Sequence, residues 1–139
     1  MKKLLMFLTI AILSSCSFAS KPPKAVLDSF SKKFPSATKV SWGKEAKLEW
    51  EAEFTFEGKK ISANFAQDGV WLETESEIKS TELPKAVLAS INKTYPGWKI
   101  AEADKTETSK HGLIYEADLK NGMKSKSLAY KEDGTLVAE

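Results

Sequence analysis

The sequence has very little of the chemistry that catalytic and metal sites require. Its single cysteine is Cys16, and its single histidine, His111, lies in a Lys-His-Gly turn. One cysteine cannot form an internal disulfide, so an apolar core has to stabilise the fold. One histidine, in a sequence without Gly-x-Ser-x-Gly, supplies neither a catalytic triad nor a zinc site. We therefore predict a protein that is not an enzyme, with no catalytic residues, no metal site and no cofactor.

The first 19 residues have the pattern of a signal peptide. Two lysines precede an apolar run that is too short for a stable membrane span. Two cleavage sites follow this run. A lipobox-like sequence ending at Cys16 would remove residues 1–15 and lipidate the cysteine, whereas Ser-Phe-Ala at 17–19 fits ordinary signal peptidase. Both alternatives predict an exported, periplasmic protein, and the first adds a lipid anchor in the outer membrane.

The exported chain has no surplus of either charge. The formal net charge is +2, and removal of Lys2 and Lys3 with the signal peptide brings it to zero. Proteins that bind nucleic acid or anionic lipid generally carry a basic surplus. We therefore predict no nucleic-acid partner, and membrane contact only through a lipid on Cys16.

The rest of the chain contains one pattern twice. Pro-Lys-Ala-Val-Leu occurs at 23–27 and again at 84–88, and an aromatic residue followed by proline comes later in each copy. Trp-Glu-Ala-Glu-Phe at 50–54 then corresponds to Tyr-Glu-Ala-Asp-Leu at 115–119. A spacing of ~60–65 residues predicts two copies of one supersecondary unit. We predict repeats at residues 22–78 and 82–139, which together form one compact domain.

Each copy is predicted to form one helix followed by about four antiparallel strands. Prolines begin and end each helix, and the apolar residues between them form one stripe at helical spacing. The segment Lys47–Glu57 alternates apolar and charged residues, which is typical of a strand with one buried face. Leu48 and Leu113 fall on the buried side of their strands. The predicted fold class is α+β, with helices on one face of the sheet and the other face open. The two copies form either one long sheet or two abutting sheets.

Two Asp-Gly hairpins predict which side chains lie on the open face. A two-residue loop at 68–69 would pair Ala66 with Trp71 and place Trp71 on the open face. The same loop at 133–134 would place Leu136 at the equivalent position and pair Tyr130 with Val137 inside. The predicted protein-binding residues of the open face are Trp71, Glu49, Glu51, Glu53, Ile114, Glu116 and Leu136.

The acidic residues of this face allow more than one interpretation. Glu49, Glu51 and Glu53 follow one another about 7 Å apart, and Glu73–Glu77 can form a second row. The rows fit an acidic docking surface or a cation site, although calcium prefers six to eight oxygens in a turned loop. They also fit an ordinary solvated face whose charges are paired with lysines. Trp71 would be an aromatic interface anchor, or a tryptophan lying on neighbouring side-chain stems.

The tandem Pro-Lys-Ala-Val-Leu helices, the Trp-Glu-Ala-Glu-Phe strand and the Asp-Gly hairpins resemble a known family. It is the PepSY-like, putative β-lactamase-inhibitor-like (BLIP-like) family of secreted or periplasmic proteins, common in Bacteroidetes. The resemblance implies helices behind a curved antiparallel sheet whose open face binds. β-Lactamase inhibitor protein holds its target enzyme with such a sheet but carries disulfides, which this chain cannot form. Inhibition of a β-lactamase is therefore an analogy between folds.

The sequence favours a non-enzymatic binding module of the bacterial envelope. We expect the open face to bind an envelope protein and, if that partner is a hydrolase or peptidase, to inhibit it by occlusion. The alternative is a protein that binds a small ligand or cation, either at the carboxylate rows or in a groove between the two copies.

Overall fold

Two helices pack on one face of a seven-stranded antiparallel sheet. The computed structural model describes residues 21–137, so the predicted signal peptide and Cys16 lie outside the described residues. Among residues 21–137, no helix is both long and apolar enough to cross a bilayer. The elements are α1 (Lys24–Lys33), β1 (Thr38–Ala46), β2 (Glu49–Phe56), β3 (Lys59–Ala66), β4 (Trp71–Glu77), a short 3₁₀ helix (Ser80–Glu82), α2 (Lys85–Thr94), β5 (Lys99–Thr108), β6 (Gly112–Asn121) and β7 (Lys124–Tyr130).

The strands lie in the sheet in the order in which they occur in the chain. The β4–β5 pair joins the two halves, so there is one continuous sheet rather than two abutting ones. The second half has three strands and an isolated bridge between Tyr130 and Leu136, instead of the fourth strand that was predicted. The fold is α+β with an open meander sheet, and its interpretation as two copies of one unit stays a prediction.

Each helix covers its own apolar cluster on the same face of the sheet. In the first cluster the edge of the Phe54 ring meets the Phe30 ring at 4.9 Å between centroids. The second cluster forms around Val87 and Ile91 of α2. The buried residues of the first cluster are Val26, Phe30, Phe34, Trp50, Ala52, Phe54, Ala63 and Phe65. Those of the second are Leu83, Val87, Ile91, Ala103, Tyr115, Ala117, Leu119 and Tyr130.

Two leucines predicted to be buried are exposed. Leu48 is 60% exposed and Leu113 is 38% exposed. Leu48 lies in the turn before β2, and Leu113 is the second residue of β6, next to the β5–β6 turn. Alternation assigned both to the correct face, but neither belongs to the clusters that the helices cover.

The Asp-Gly hairpins have three-residue loops, and this corrects the predicted register. In the first hairpin the N–H of Ala66 donates to Val70 O at 2.8 Å, and the N–H of Gly69 donates to Ala66 O at 2.9 Å. Gly69 has a φ of 90°, as expected for a type I turn followed by a glycine bulge. Phe65 consequently lies opposite Trp71, with a register shift before the next pair. A shift of one residue moves a side chain to the other face of a sheet.

The second hairpin has the same correction. The N–H of Lys131 donates to Thr135 O at 2.8 Å, and Tyr130 pairs with Leu136 instead of Val137. Both loops lie against a helix. A Cβ at Gly69 would be 2.5 Å from Ala25 O, and a Cβ at Gly134 would be 2.5 Å from Ala86 O. Only glycine fits at these two contacts between hairpin and helix.

Candidate functional site: the acidic face

The face of the sheet opposite the helices carries a dense group of carboxylates. In β2, Trp50 and Ala52 point toward α1, so the acidic residues that alternate with them point to the opposite face. Strand pairing continues this face across β4, β5 and β6. We call this surface the acidic face; its carboxylates are Glu49, Glu51, Glu53, Glu73, Glu75, Glu77, Glu102, Asp104, Glu116 and Asp118.

The register places several of these carboxylates directly opposite one another. Asp104 pairs with Glu77 on one side and with Glu116 on the other. Glu75 pairs with Ser62 and with Thr106. Like charges directly opposite in a sheet are destabilising. The centre of the acidic face therefore has an electrostatic cost in the free protein.

Lysines do not neutralise this charge. The one ion pair among residues 21–137 joins Lys24 to Asp28 in α1. Lys60, Lys99 and Lys120 belong to the same face by strand pairing, but they lie near the ends of β3, β5 and β6. The ion pairs expected of an ordinary solvated face are thus missing from the described part of the acidic face.

Burial and mutual repulsion hold protons on the central carboxylates. Burial raises the pKa of Glu75 to about 8, and repulsion from Asp104, Glu116 and other carboxylates adds to the increase. Burial, with repulsion from Glu73 and Asp104, raises the pKa of Glu116 to about 7, and a hydrogen bond donated by the Thr106 hydroxyl, outside standard geometry, partly offsets the rise. Both carboxyl groups therefore hold protons at higher pH than ordinary glutamates do.

The surrounding carboxylates are shifted in the same direction. The pKa of Asp104 is raised to about 6, chiefly by burial and then by repulsion from Glu77 and Asp118. Burial also raises the pKa of Glu51 and of Glu73, and neighbouring glutamates add to both shifts. Bringing a positive charge to this surface would relieve the repulsion and release protons.

A buried hydroxyl without a well-formed hydrogen bond lies at the centre of the face. Thr106 is 0% exposed, and its Oγ1 forms no hydrogen bond of standard length and angle. The side chain of Ala103 joins the helix-side cluster, so Thr106, three residues further along β5, points to the acidic face. Its lowering effect on the pKa of Glu116 places the hydroxyl near that carboxyl group.

Two of the predicted binding residues are not on this face. Trp71 packs against the α1 cluster on the helix side, its Nε1 donates to Thr74 Oγ1 at 2.9 Å, and Lys33 Nζ lies 3.9 Å from its ring centre. Leu136, 52% exposed, pairs with the buried Tyr130 and so also belongs to the helix side. Both predictions of position were wrong because each hairpin loop has three residues rather than two.

The other predicted residues do lie on the acidic face. Glu49, Glu51 and Glu53 form its β2 row, and Glu116 is part of its centre. Ile114 is on the same face, opposite Thr106, but it is only 5% exposed and cannot serve as a projecting apolar anchor.

Asp104 and Thr106 were missed by the sequence-based prediction. A register shift between Ile100 and Glu102 interrupts the alternation of β5 and hides the pattern at its start. The regular spacing of Asp104, Thr106 and Thr108 was the signal that could have located them. No pattern in the sequence indicates that the Thr106 hydroxyl is buried without a well-formed hydrogen bond.

The acidic face is not a preformed metal centre. Among residues 21–137, no three carboxylate, imidazole or thiolate groups come close enough together to hold a metal ion. The face can instead attract cations whose charge is carried on a larger or more flexible group.

Comparison with known proteins identifies relatives of this fold. A family described as putative β-lactamase-inhibitor-like, PepSY-like matches residues 48–138. The crystal structure of a BLIP-like protein from Bacteroides fragilis has a TM-score of 0.75 and 25% identity, over 87% of this chain and 86% of that chain. A DUF2874 family protein from Bacteroides ovatus has a TM-score of 0.75 and 22% identity, over 86% of this chain and 87% of that chain.

A third structure, described as a putative periplasmic protein from Bacteroides eggerthii, has a TM-score of 0.74 and 15% identity, over 86% of this chain and 88% of that chain. The second and third of these likenesses concern the fold alone. No curated protein matches the chain.

Proposed function

Because this chain belongs to the PepSY-like, putative β-lactamase-inhibitor-like family, we propose that it is a non-enzymatic binding module of the bacterial envelope. The acidic face is the binding surface, and the ligand is a protein that presents lysine or arginine side chains. A fold alone does not define a function. The support for this proposal comes from the charges on the acidic face.

The observation that carries the proposal is the set of carboxylates without ion pairs. Asp104 lies between Glu77 and Glu116, and no lysine among residues 21–137 pairs with any of them. A basic partner would remove the repulsion that the free protein has to sustain. Complementary charge also speeds encounter and selects among partners. Hydrogen-bonded strands hold the carboxylates in fixed register, so less ordering is needed when the partner binds.

The proposal includes a two-copy architecture with the site at its junction. Gly69 and Gly134 make the same close contact with the first turn of α1 and of α2, respectively. Two separate apolar clusters correspond to the two copies. The copies meet where Glu73–Glu77 of β4 pairs with Asp104–Thr108 of β5. Duplication would then have created a carboxylate surface that a single copy on its own does not have.

We place this module in the periplasm on the basis of the signal-like residues 1–19, with a lipid at Cys16 as one form of the mature protein. Inhibition of a hydrolase or peptidase is one form of the function. It requires that the basic surface of the partner border its active site, so that the docked sheet blocks access to it. The same contact without inhibition would make the chain an adaptor.

The test is capture of envelope proteins by the mature chain. The test variant Glu51→Gln/Glu73→Gln/Glu75→Gln keeps side-chain size and removes charge from the acidic face. The control variant Glu57→Gln/Glu132→Gln removes charge from two exposed turn residues. We expect a basic protein to be retained by the wild type and the control and lost by the test variant, with affinity falling as salt rises. Equal retention by all three proteins would contradict the proposal.

The second candidate is binding of a metal ion or small ligand, and it has less support. The raised pKa values of Glu75 and Glu116 favour any cation. Calcium, however, needs six to eight oxygens at 2.3–2.6 Å, and the described residues contain no converging group of three ligands. A rise in melting temperature with calcium alone, absent in the Glu75→Gln variant, would favour this candidate.

A further inference from the structure

We propose that the centre of the acidic face, formed by Glu75, Thr106 and Glu116, is a receptor for one lysine side chain of the partner protein. This inference rests on the proposed function and specifies the group that docks. It goes beyond general charge attraction because it assigns a role to a hydroxyl and a fixed position to one ammonium group.

Three neighbouring strands bring the receptor residues together. Thr106 of β5 lies directly opposite Glu75 of β4. On its other side, Thr106 faces Ile114, and Glu116 is two residues further along β6. Directly opposed side chains have Cβ atoms about 5 Å apart, and diagonal ones about 7 Å, within reach of long side chains. Two carboxyl groups can therefore extend over one threonine.

The Thr106 hydroxyl is the second observation behind the receptor, because its contact with Glu116 falls short of a well-formed hydrogen bond and leaves its lone pairs free for a further donor. It is fully buried with no well-formed hydrogen bond, whereas nearly all buried polar groups have a partner. Its neighbour Thr108, on the same face, accepts from His111 N at 2.9 Å and donates to Gly112 O at 3.2 Å. A bound ammonium would donate to Thr106 Oγ1, and the hydroxyl proton could then turn toward a carboxylate.

An ammonium fits this arrangement better than a metal ion or a guanidinium. The receptor offers only two carboxyl groups and one hydroxyl, and among residues 21–137 no three carboxylate, imidazole or thiolate groups are placed to hold a metal ion. Lysine has three donors around one nitrogen on a flexible stem, so it can reach acceptors that surround it. The planar fork of arginine is suited to two oxygens of one carboxylate. Separate oxygens on Glu75, Thr106 and Glu116 therefore favour lysine.

The charges around the receptor support the same ligand. In the central parts of β2, β4, β5 and β6, the titratable groups of this face are all acidic. Its lysines, Lys60, Lys99 and Lys120, lie near strand ends. Protons held by Glu75 and Glu116 would pass to the buffer as the ammonium enters. The neighbouring acidic groups are Glu51, Glu53, Glu73, Glu77, Glu102, Asp104 and Asp118.

The experiment is a titration of the full mature protein with three capped peptides, followed by NMR. The peptides are identical except for a central lysine, arginine or alanine. The test variants are Thr106→Val and Glu75→Gln. The matched controls are Thr108→Val, which removes a partnered hydroxyl from the same face, and Glu57→Gln, which removes an exposed charge in a turn.

We expect the lysine peptide to shift the Thr106 methyl resonance and to bind more tightly than the arginine peptide. Each test variant should weaken binding about tenfold, as expected for the loss of a hydrogen bond to a charged group. The controls should change the affinity by less than about twofold, since surface charges contribute little individually. Binding of the lysine peptide should also strengthen from pH 6 to pH 8, because protons are released.

The contrary outcomes separate the two proposals. Tight binding of basic peptides to the acidic face that Thr106→Val and Glu75→Gln leave unchanged would overturn the lysine receptor and keep the proposed function. Equal binding of the arginine peptide would also overturn it. If a low concentration of calcium alone displaced the peptide, the site would be a metal site rather than a lysine receptor. No shift on the acidic face with any basic peptide would overturn both proposals.

Discussion

Glu75 lies directly opposite Thr106 in the β4–β5 ladder. Burial raises the pKa of this carboxyl group to about 8, and the hydroxyl beside it is buried without a well-formed hydrogen bond. A buried carboxyl group or hydroxyl destabilises the folded protein when its hydrogen bonds are incomplete. Local departures of this kind tend to occur where a protein binds something.

The first prediction is that Thr106→Val stabilises the free protein. Valine keeps the shape of threonine and removes a buried hydroxyl whose only contact of this kind, with Glu116, is not a well-formed hydrogen bond, so unfolding should cost about 1–3 kcal/mol more. Chemical denaturation measures this change. Thr108→Val is the matched control, because its hydroxyl takes part in two hydrogen bonds, and it should destabilise by about 1 kcal/mol. Destabilisation by both substitutions would mean that the contact between Thr106 and Glu116 is a stabilising hydrogen bond, and would contradict the prediction.

The second prediction concerns pH. The folded pKa of Glu75, about 8, exceeds its ordinary value of 4.5. Its stabilising contribution is therefore complete below about pH 4.5 and is lost as pH rises through 8. Glutamine imitates the protonated form, so Glu75→Gln should match the wild type near pH 4.5 and exceed its stability near pH 9. The difference should be on the order of 1–3 kcal/mol after allowance for solvent screening.

Urea denaturation of both proteins at intervals between pH 4.5 and 9 measures this difference. Glu57→Gln is the control, because it makes the same substitution in the exposed β2–β3 turn. A Glu75→Gln variant that is less stable than the wild type at pH 9 would show that the carboxylate is stabilised as an anion.

Much of the acidic face could be predicted from the sequence. The alternation of Glu49, Glu51 and Glu53 with apolar residues determines their face, because successive strand residues point to opposite sides. The helices between prolines could be located for a similar reason, since proline restricts the backbone at both ends. These features depend only on neighbouring residues.

The positions of Trp71 and Thr106 could not be predicted in this way. Asp-Gly can form a two-residue or a three-residue loop, and the choice moves Trp71 from one face to the other. The hairpin loop also packs against α1, where Gly69 approaches Ala25 O, and this contact between distant parts of the chain is not visible in the local sequence. The orphan hydroxyl of Thr106 depends on what lies around it in three dimensions. Both are properties of packing rather than of local pattern.

The third prediction is that Trp71→Ala destabilises the fold. Its indole packs on the α1 cluster, donates to Thr74 and lies under Lys33. Since the side chain is only half-buried, we expect a loss of about 2 kcal/mol, less than for a fully buried tryptophan. Leu136→Ala, at the exposed equivalent position, should change stability by less than about 0.5 kcal/mol. If Trp71→Ala left stability unchanged but abolished partner binding, Trp71 would be a binding residue rather than part of the core.

The fourth prediction concerns the contact between hairpins and helices. Gly69→Ala should cost about 3 kcal/mol or more, because the new Cβ would be 2.5 Å from Ala25 O at a φ of 90°. Gly58→Ala is the control: its φ is also positive, at 78°, but nothing lies within 4 Å of the new Cβ. It should cost about 1 kcal/mol from backbone strain alone. Equal losses of stability in the two variants would mean that the hairpin does not pack closely against α1.

The most direct test of the acidic face is the titration of its own carboxyl groups. The side-chain carboxyl carbons of Glu75 and Glu116 can be followed by NMR from pH 4 to 10, with and without the lysine peptide. We predict a pKa of about 8 for Glu75 in the free protein and a clear fall when the peptide is bound. An unchanged high pKa at saturating peptide would contradict the central claim that this face binds a positively charged partner.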